Sequence, residues 1–434
     1  MADIKEILKL ALPIVVNLLL FTVISFTDLY VVSKYGVNAV SAVGIVQNIL
    51  GLLFAFTIVY ESGGKVLLTR YIGQKSFKKA SIVVSSLLVS GLIAAAILTI
   101  LISIILKIVI LFLDKELIEY AADYGYILAF AIPFIIINVI IDTAMHSYSD
   151  SKIPMYLALI AAVINIVLDF GLGLGYFAMP KMGVFGVALS TLISYIVIAC
   201  LHLYIYFSKK MPYIPNLRFN KMVFLKSIKV AISDIGSHIS RAVSNLILVT
   251  AIITLGSIYY ASFNITIKVM ALGYMPVIAF AIAGSILIGQ KIGEKNFKEA
   301  EEIIKIIAII NTAYMLILAI FLILYADSLA KIFSSNKEAI EIIKESIIAF
   351  AIIEIPFAID VTYTFALNGA GLTKKTLRIN LINIWGFIVI PALIAIYLFK
   401  SYESVLIVYF IQFYLIAYLM HKEFYKREWV DFKI

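Results

Sequence analysis

Apolar residues fill this chain in long unbroken stretches, and polar residues gather in the short gaps between them. A helix of about 20 apolar residues can cross a bilayer core. Stretches of that size lie near 7–32, 38–66, 80–112, 122–147, 153–177, 183–207, 224–254, 259–288, 301–325, 340–368, 376–398 and 402–420. None alternates over ten residues as a transmembrane barrel strand does. The pattern predicts an all-α polytopic membrane protein of twelve transmembrane helices.

Composition strengthens this reading. The 434 residues are 63% hydrophobic and 14% charged, and mean hydropathy is +1.07. A soluble protein is about half apolar and a quarter charged. The net charge of +9 could suggest nucleic acid, but the basic residues sit in loops between spans. With an even number of spans, the loops on the side of the termini hold 24 Lys and Arg against 8 on the other side. That bias makes both termini cytoplasmic and the inner membrane the expected site. The N-terminus lacks a basic region before its apolar run, so the first span reads as a retained helix. Cys200 is the single cysteine, so no disulfide framework exists.

The two halves are related. Residues 73–80 read GQKSFKKA and 293–300 read GEKNFKEA, an offset of 220 that also pairs Gly36 with Gly256. Residues 147–152 pair with 369–374 at an offset of 222. Six spans per repeat give both halves the same orientation, with a binding cavity expected between them. The expected domains are an N-lobe over 1–207, a linker over 208–223 carrying Pro212 and Pro215, and a C-lobe over 224–434.

Ionisable residues inside spans are costly and usually functional. The first half has Asp28, Glu61, Lys65, Asp142 and Asp169; the second has Asp234, Arg241, Lys268, Glu354 and Asp360. Asn165 and Asp169 are spaced i, i+4 and share a helix face. Asp28 lies at a comparable height in span one. Two carboxylates and an amide could bind Na⁺ through oxygens, or hold one or two protons. Solvated helix ends explain Asp28 and Asp142 as simply. Glu61 and Lys65 read as a helical ion pair, and Asp234 and Arg241 share a face. Lys268, Glu354 and Asp360 could line a substrate cavity, as could Asn138 and Asp142 in span four. Pro13 favours a kink in span one. The four histidines show no metal spacing, no P-loop is present, and no catalytic constellation stands out, so no enzyme is expected.

Several segments together resemble the multidrug and toxic-compound extrusion family. They are Leu10–Ile14, Thr27-Asp28, Arg70–Gln74, Asn165–Asp169, Gly183–Thr191 and Asn368–Lys374. The resemblance covers nearly the whole chain and looks closest to the DinF-like branch. It implies two six-helix lobes forming a V, and antiport of a cation, H⁺ or Na⁺, against amphipathic and often cationic organic compounds. It also implies a monomer with no cofactor and no nucleic-acid partner. By the same resemblance, Asp28, Asn165, Asp169 and Thr191 match the coupling-cation site, Pro13 the first-helix bend and Tyr124 a cavity residue. The chain departs from the family where Asp142 stands in place of a common amide. Leu248 stands where the repeat of Asp28 would be. Three first-half carboxylates favour H⁺. The alternative is a flippase for lipid-linked oligosaccharides, for which Lys65, Arg241 and Lys268 could neutralise phosphates. A non-transporting scaffold would need no duplicated cavity.

Overall fold

The computed structural model describes residues 4–208 and 216–432. Residues 209–215 of the linker expected over 208–223, with Pro212 and Pro215, lie outside the described residues. The described chain is helical throughout its spans. We label α1 Ile4–Ser33, α2 Val37–Gly73, α3 Phe77–Ile110, α4 Lys115–Ser147, α5 Lys152–Gly173 and α6 Val184–Phe207. The second half has α7 Lys221–Ile253, α8 Ser257–Gly293, α9 Phe297–Phe333, α10 Lys337–Ile353, α11 Phe357–Gly369, α12 Thr373–Phe399 and α13 Tyr402–Tyr425.

Eleven of these are each long and apolar enough to cross a membrane. The twelfth crossing is α10 and α11 together, interrupted at Glu354-Ile355-Pro356. Pro356 lacks an amide donor and crowds the preceding turn, so the expected single span is two helices. Several helices outrun the expected spans. α8 and α9 have 37 residues, about 55 Å of helix against a hydrocarbon core of about 30 Å. Residues assigned to loops by hydropathy, such as Lys5 and Lys344, therefore lie on helices.

The repeat is visible in backbone geometry. Both octapeptides build the same turn: a helix ends at Gly73 or Gly293, Lys75 or Lys295 turns left-handed (φ 55° and 61°), and a helix restarts at Phe77 or Phe297. Gly36 and Gly256 cap the starts of α2 and α8 at φ 94° and 141°. Lacking a β-carbon, glycine adopts such angles at little cost.

Two compact units form. One runs from Leu12 to Ala231; the other takes Ile232 onwards together with the first residues up to Ala11. The boundary thus falls inside α1 and α7. In the first unit α4 packs against α3, α2 and α6, and α5 against α6. Its core includes Leu87, Ile132, Ile136 and Val187, all fully buried. The second unit closes around Phe263, Phe350, Tyr402 and Val405. Ile97, Ile100, Ile317 and Leu324 stay 60% or more exposed. Water penalises such large apolar side chains and lipid accepts them. The molecule is a multi-pass membrane protein.

Among the described residues three helices carry π-helical turns: Val59–Gly63 in α2, Asp169–Gly173 in α5, and Asn383–Val389 and Ala395–Phe399 in α12. Such turns hold one residue more than an α-turn and often mark functional positions. Glu61 lies within the turn of α2 and is exposed, while Lys65 just after it is buried.

Candidate cation site and cavity

The first unit brings Asp28, Asn165, Asp169 and Thr191 together. α1 presents Asp28 five residues before its end, and the π-turn of α5 presents Asp169. Asn165 sits one turn earlier on α5, and Thr191 comes from α6. Asp28, Asn165 and Asp169 are all nearly inaccessible, at 6%, 1% and 0% exposure.

The local sequence explains the assembly. α5 ends in the small-residue run Asp169-Phe-Gly-Leu-Gly173. Gly186 of α6 lies directly over it. A β-carbon there would sit 2.5 Å from the Leu172 carbonyl oxygen, so only glycine lets the two backbones approach this closely. One helical turn beyond Gly186, Ser190 donates from Oγ to Asp169 Oδ1. Asn165 Nδ2 reaches Thr191 Oγ1 at 3.3 Å and Ser190 Oγ at 3.5 Å. The start of α2 is tied to the same turn, because the Tyr35 hydroxyl donates to the Gly173 carbonyl. Tyr30 and Tyr176 flank Phe170 with ring centroids at 6.2 and 6.0 Å.

The carboxyl of Asp28 faces both Asp169 and Asn165. Among the described residues, Asp28 Oδ1, Asn165 Oδ1 and Asp169 Oδ2 are buried and have no hydrogen-bond partner. Buried acceptors left without a donor cost about 1–3 kcal/mol each. All three are hard oxygen acceptors on side chains that meet here, the chemistry that suits a proton or a small hard cation. Two carboxyls facing each other in a water-poor site also repel unless a proton or metal lies between them.

A cavity of about 620 Å³ opens beside Asp28 within the same unit. Phe21, Phe26, Leu50 and Tyr195 supply much of its wall, with Gln47, Tyr124 and Thr191 as polar points. The Tyr124 hydroxyl accepts from Gln47 Nε2 at 3.3 Å. Among the described residues, Asp28 is the single charged one on that wall, and no Lys or Arg lines it.

Asn138 and Asp142 are on α4 but off this wall. Instead they contact His202 of α6. Lys268, Glu354 and Asp360 belong to the second unit. Lys268 is exposed on α8. Glu354 is buried at the α10–α11 break with Oε2 unpartnered. Asp360 accepts from Thr364 at 3.0 Å and feels the charge of Arg241. Asp234 accepts from Asn368 Nδ2 at 2.9 Å. Pro13 lies ten residues into α1, so the Lys9 carbonyl loses its intrahelical donor.

Sequence reasoning missed Ser190, Gln47, Tyr195 and His202. Ser190 stands next to Thr191 and could have been found from that neighbour. The others carry no local signal; only packing brings them in.

The sequence profile of the MatE family matches residues 13–170 and 235–394. The chain is 26% identical over 343 residues to the probable multidrug resistance protein YoeA of Bacillus subtilis, covering 76% of this chain and 73% of the relative. It is 25% identical over 390 residues to the probable multidrug resistance protein NorM of Thermotoga maritima, covering 88% and 83%. A solved multidrug resistance MATE family transporter of the MOP superfamily, in an outward-facing conformation, superposes with a TM-score of 0.90 at 21% identity. That match covers 98% of this chain and 96% of the other.

Proposed function

Because the chain belongs to the MatE family, we propose that it exports amphipathic, often cationic organic compounds in exchange for a cation bound at Asp28, Asn165 and Asp169. The three buried, unpartnered oxygens carry this reading. Thr191 and Ser190 position Asn165 and Asp169, and Tyr124 lines the substrate cavity. A large apolar cavity whose described wall has one acidic group and no basic one suits an organic cation or a neutral amphiphile. That character speaks against the flippase reading, because a pyrophosphate-linked lipid needs cationic walls. The carboxyls of Asp28 and Asp169 face each other, and one proton between them relieves their repulsion, which favours H⁺ over Na⁺ as the coupling ion. A monomer in the inner membrane, with both termini cytoplasmic, completes the proposal.

In the mechanism, cation binding joins α1 to α5. A cation moves the conformational equilibrium only by the difference in its affinity for the two states. Burial of the carboxylates in one state supplies that difference, because an uncompensated charge is far costlier away from water. Pro13 gives α1 a point at which to bend as Asp28 gains or loses its partner.

The test is ethidium transport by the purified chain in proteoliposomes, with a pH gradient and a Na⁺ gradient imposed separately. Asp28→Asn and Asp169→Asn should each abolish gradient-driven transport. Full transport by both variants would refute the assignment.

A further inference from the structure

A second cluster of buried polar groups in the first unit lies apart from the Asp28–Asp169 site. His202 of α6 is fully buried. Its Nδ1 lies 2.9 Å from Asn138 Oδ1. Asn138 Nδ2 donates to the Tyr195 carbonyl at 3.3 Å, which fixes the amide's orientation: flipped, its oxygen would face that carbonyl. Asn138 Oδ1 is therefore an acceptor, and Nδ1 of His202 carries a hydrogen. The other ring nitrogen, Nε2, lies 3.0 Å from Asp142 Oδ1. Among the described residues neither of those two atoms has another hydrogen-bond partner.

Donor counting then leaves one answer. With Nδ1–H committed, Nε2 of a neutral imidazole is a lone pair. A lone pair 3.0 Å from a carboxylate oxygen is repulsive. One additional proton, on Nε2 or on Asp142 Oδ1, turns that repulsion into a charge-assisted or neutral hydrogen bond. Asp142 has 28% of its side chain exposed while His202 has 1%. A proton can thus reach the buried ring from solvent through Asp142.

Position gives the pair a task. Asp142 is five residues before the end of α4, about 8 Å from the terminal side. The acid site lies at the other ends of α1 and α5. Ser190 and His202 are twelve residues apart on α6, or about 18 Å. Between them α6 carries Ser194, bonded to the Ser190 carbonyl at 2.8 Å, and Tyr195, which walls the Asp28 cavity. His146, one turn along α4, lies close enough to feel Asp142, and it also feels Glu61 and Lys65 of α2 and Asp150 of the following loop. His146 Nδ1 lies 2.9 Å from Ser151 Oγ.

We propose that His202 and Asp142 hold one exchangeable proton between them and form the station through which the acid site trades protons with the terminal side. A proton enters as H⁺ on Asp142, is shared with Nε2, and leaves as H⁺; no other bond changes. The inference rests on the proton-coupled reading of the acid site.

The experiment uses the full chain in proteoliposomes with ethidium as probe. Uptake driven by an imposed pH gradient is compared with ethidium–ethidium exchange at equal pH, which needs no net proton movement. His202→Gln and Asp142→Asn should each lower gradient-driven uptake about tenfold or more and leave exchange within about twofold. Asp142→Glu should restore uptake. Wild-type uptake by His202→Gln alongside loss in Asp28→Asn overturns the station and leaves the acid site standing. Wild-type uptake by Asp28→Asn removes the underlying reading first. Loss of exchange together with uptake overturns the station in favour of a packing role. Uptake driven by Na⁺ but not by pH in the unmodified chain overturns it while antiport survives.

Discussion

Replacing one hydrogen by a methyl group at Gly186 should uncouple the pump. The added carbon of Gly186→Ala would lie 2.5 Å from the Leu172 carbonyl oxygen and 2.6 Å from its carbon. A non-bonded carbon–oxygen contact needs about 3.3 Å, so about 0.8 Å is missing. Both sides are main chain, and no rotamer can relieve the clash. If α6 recedes by that amount, the Asn165 contacts of 3.3 and 3.5 Å to Thr191 and Ser190 open to about 4.1 and 4.3 Å, beyond hydrogen-bonding range. Overpacking of this kind costs about 1–3 kcal/mol. Gly44→Ala in α2 is the control, since nothing lies within 4 Å of its added carbon; it should gain about 0.5–1 kcal/mol. Heating in detergent, followed by the surviving monodisperse fraction, should move the two midpoints in opposite directions. Ethidium efflux should fall in Gly186→Ala and hold in Gly44→Ala. A Gly186→Ala protein as stable and as active as the parent would show that the close approach of α5 and α6 does not set the site.

Ser190→Ala removes the donor to Asp169 but not the clash-free packing. It should cost about 1–3 kcal/mol of stability and also weaken ethidium transport per folded molecule, as vesicle assays can measure. Asn311 is 1% exposed and donates to the Val277 carbonyl at 3.2 Å and to Thr362 at 2.9 Å. Asn311→Ala should cost about 1–3 kcal/mol without changing transport per folded molecule. Trp429 is fully buried, stacked on Phe424 at 5.4 Å, with Nε1 donating to the Phe424 carbonyl at 2.9 Å. Trp429→Ala should cost about 3–5 kcal/mol and show first as lost yield and a lower thermal midpoint.

Much of the fold was legible because lipid imposes a simple rule. A span must be apolar and long, so hydropathy finds it, and the octapeptide repeat announced the duplicated turns at Lys75 and Lys295. Helix interruptions were less visible. Pro133 leaves α4 continuous while Pro356 accompanies a break, and sequence alone does not separate the two. The Asn165–Asp169 spacing was read on a straight helix, whereas Asp169 opens a π-turn. Partners across helices escaped altogether. His202 and Asp142 lie on different helices, and nothing local to either announces the other. Asp142 read as a solvated end or a cavity residue because its partner could not be seen.

The π-turn at Asp169–Gly173 has a genetic consequence. A π-turn behaves as one residue inserted into an α-helix. Deleting a single codon there, Phe170 for example, would let the ordinary helix reform with the residues beyond it nearly in register. Leu172 and Gly173 would stay under Gly186, and the Gly173 carbonyl would stay near Tyr35. A deletion in the regular helix before it, residues 157–164, has no such reserve and would turn Asn165 and Asp169 by about 100°. In a library of in-frame single-codon deletions selected for drug resistance, that stretch should be blank. The window 170–173 and the loop at 176–182 should tolerate such losses better.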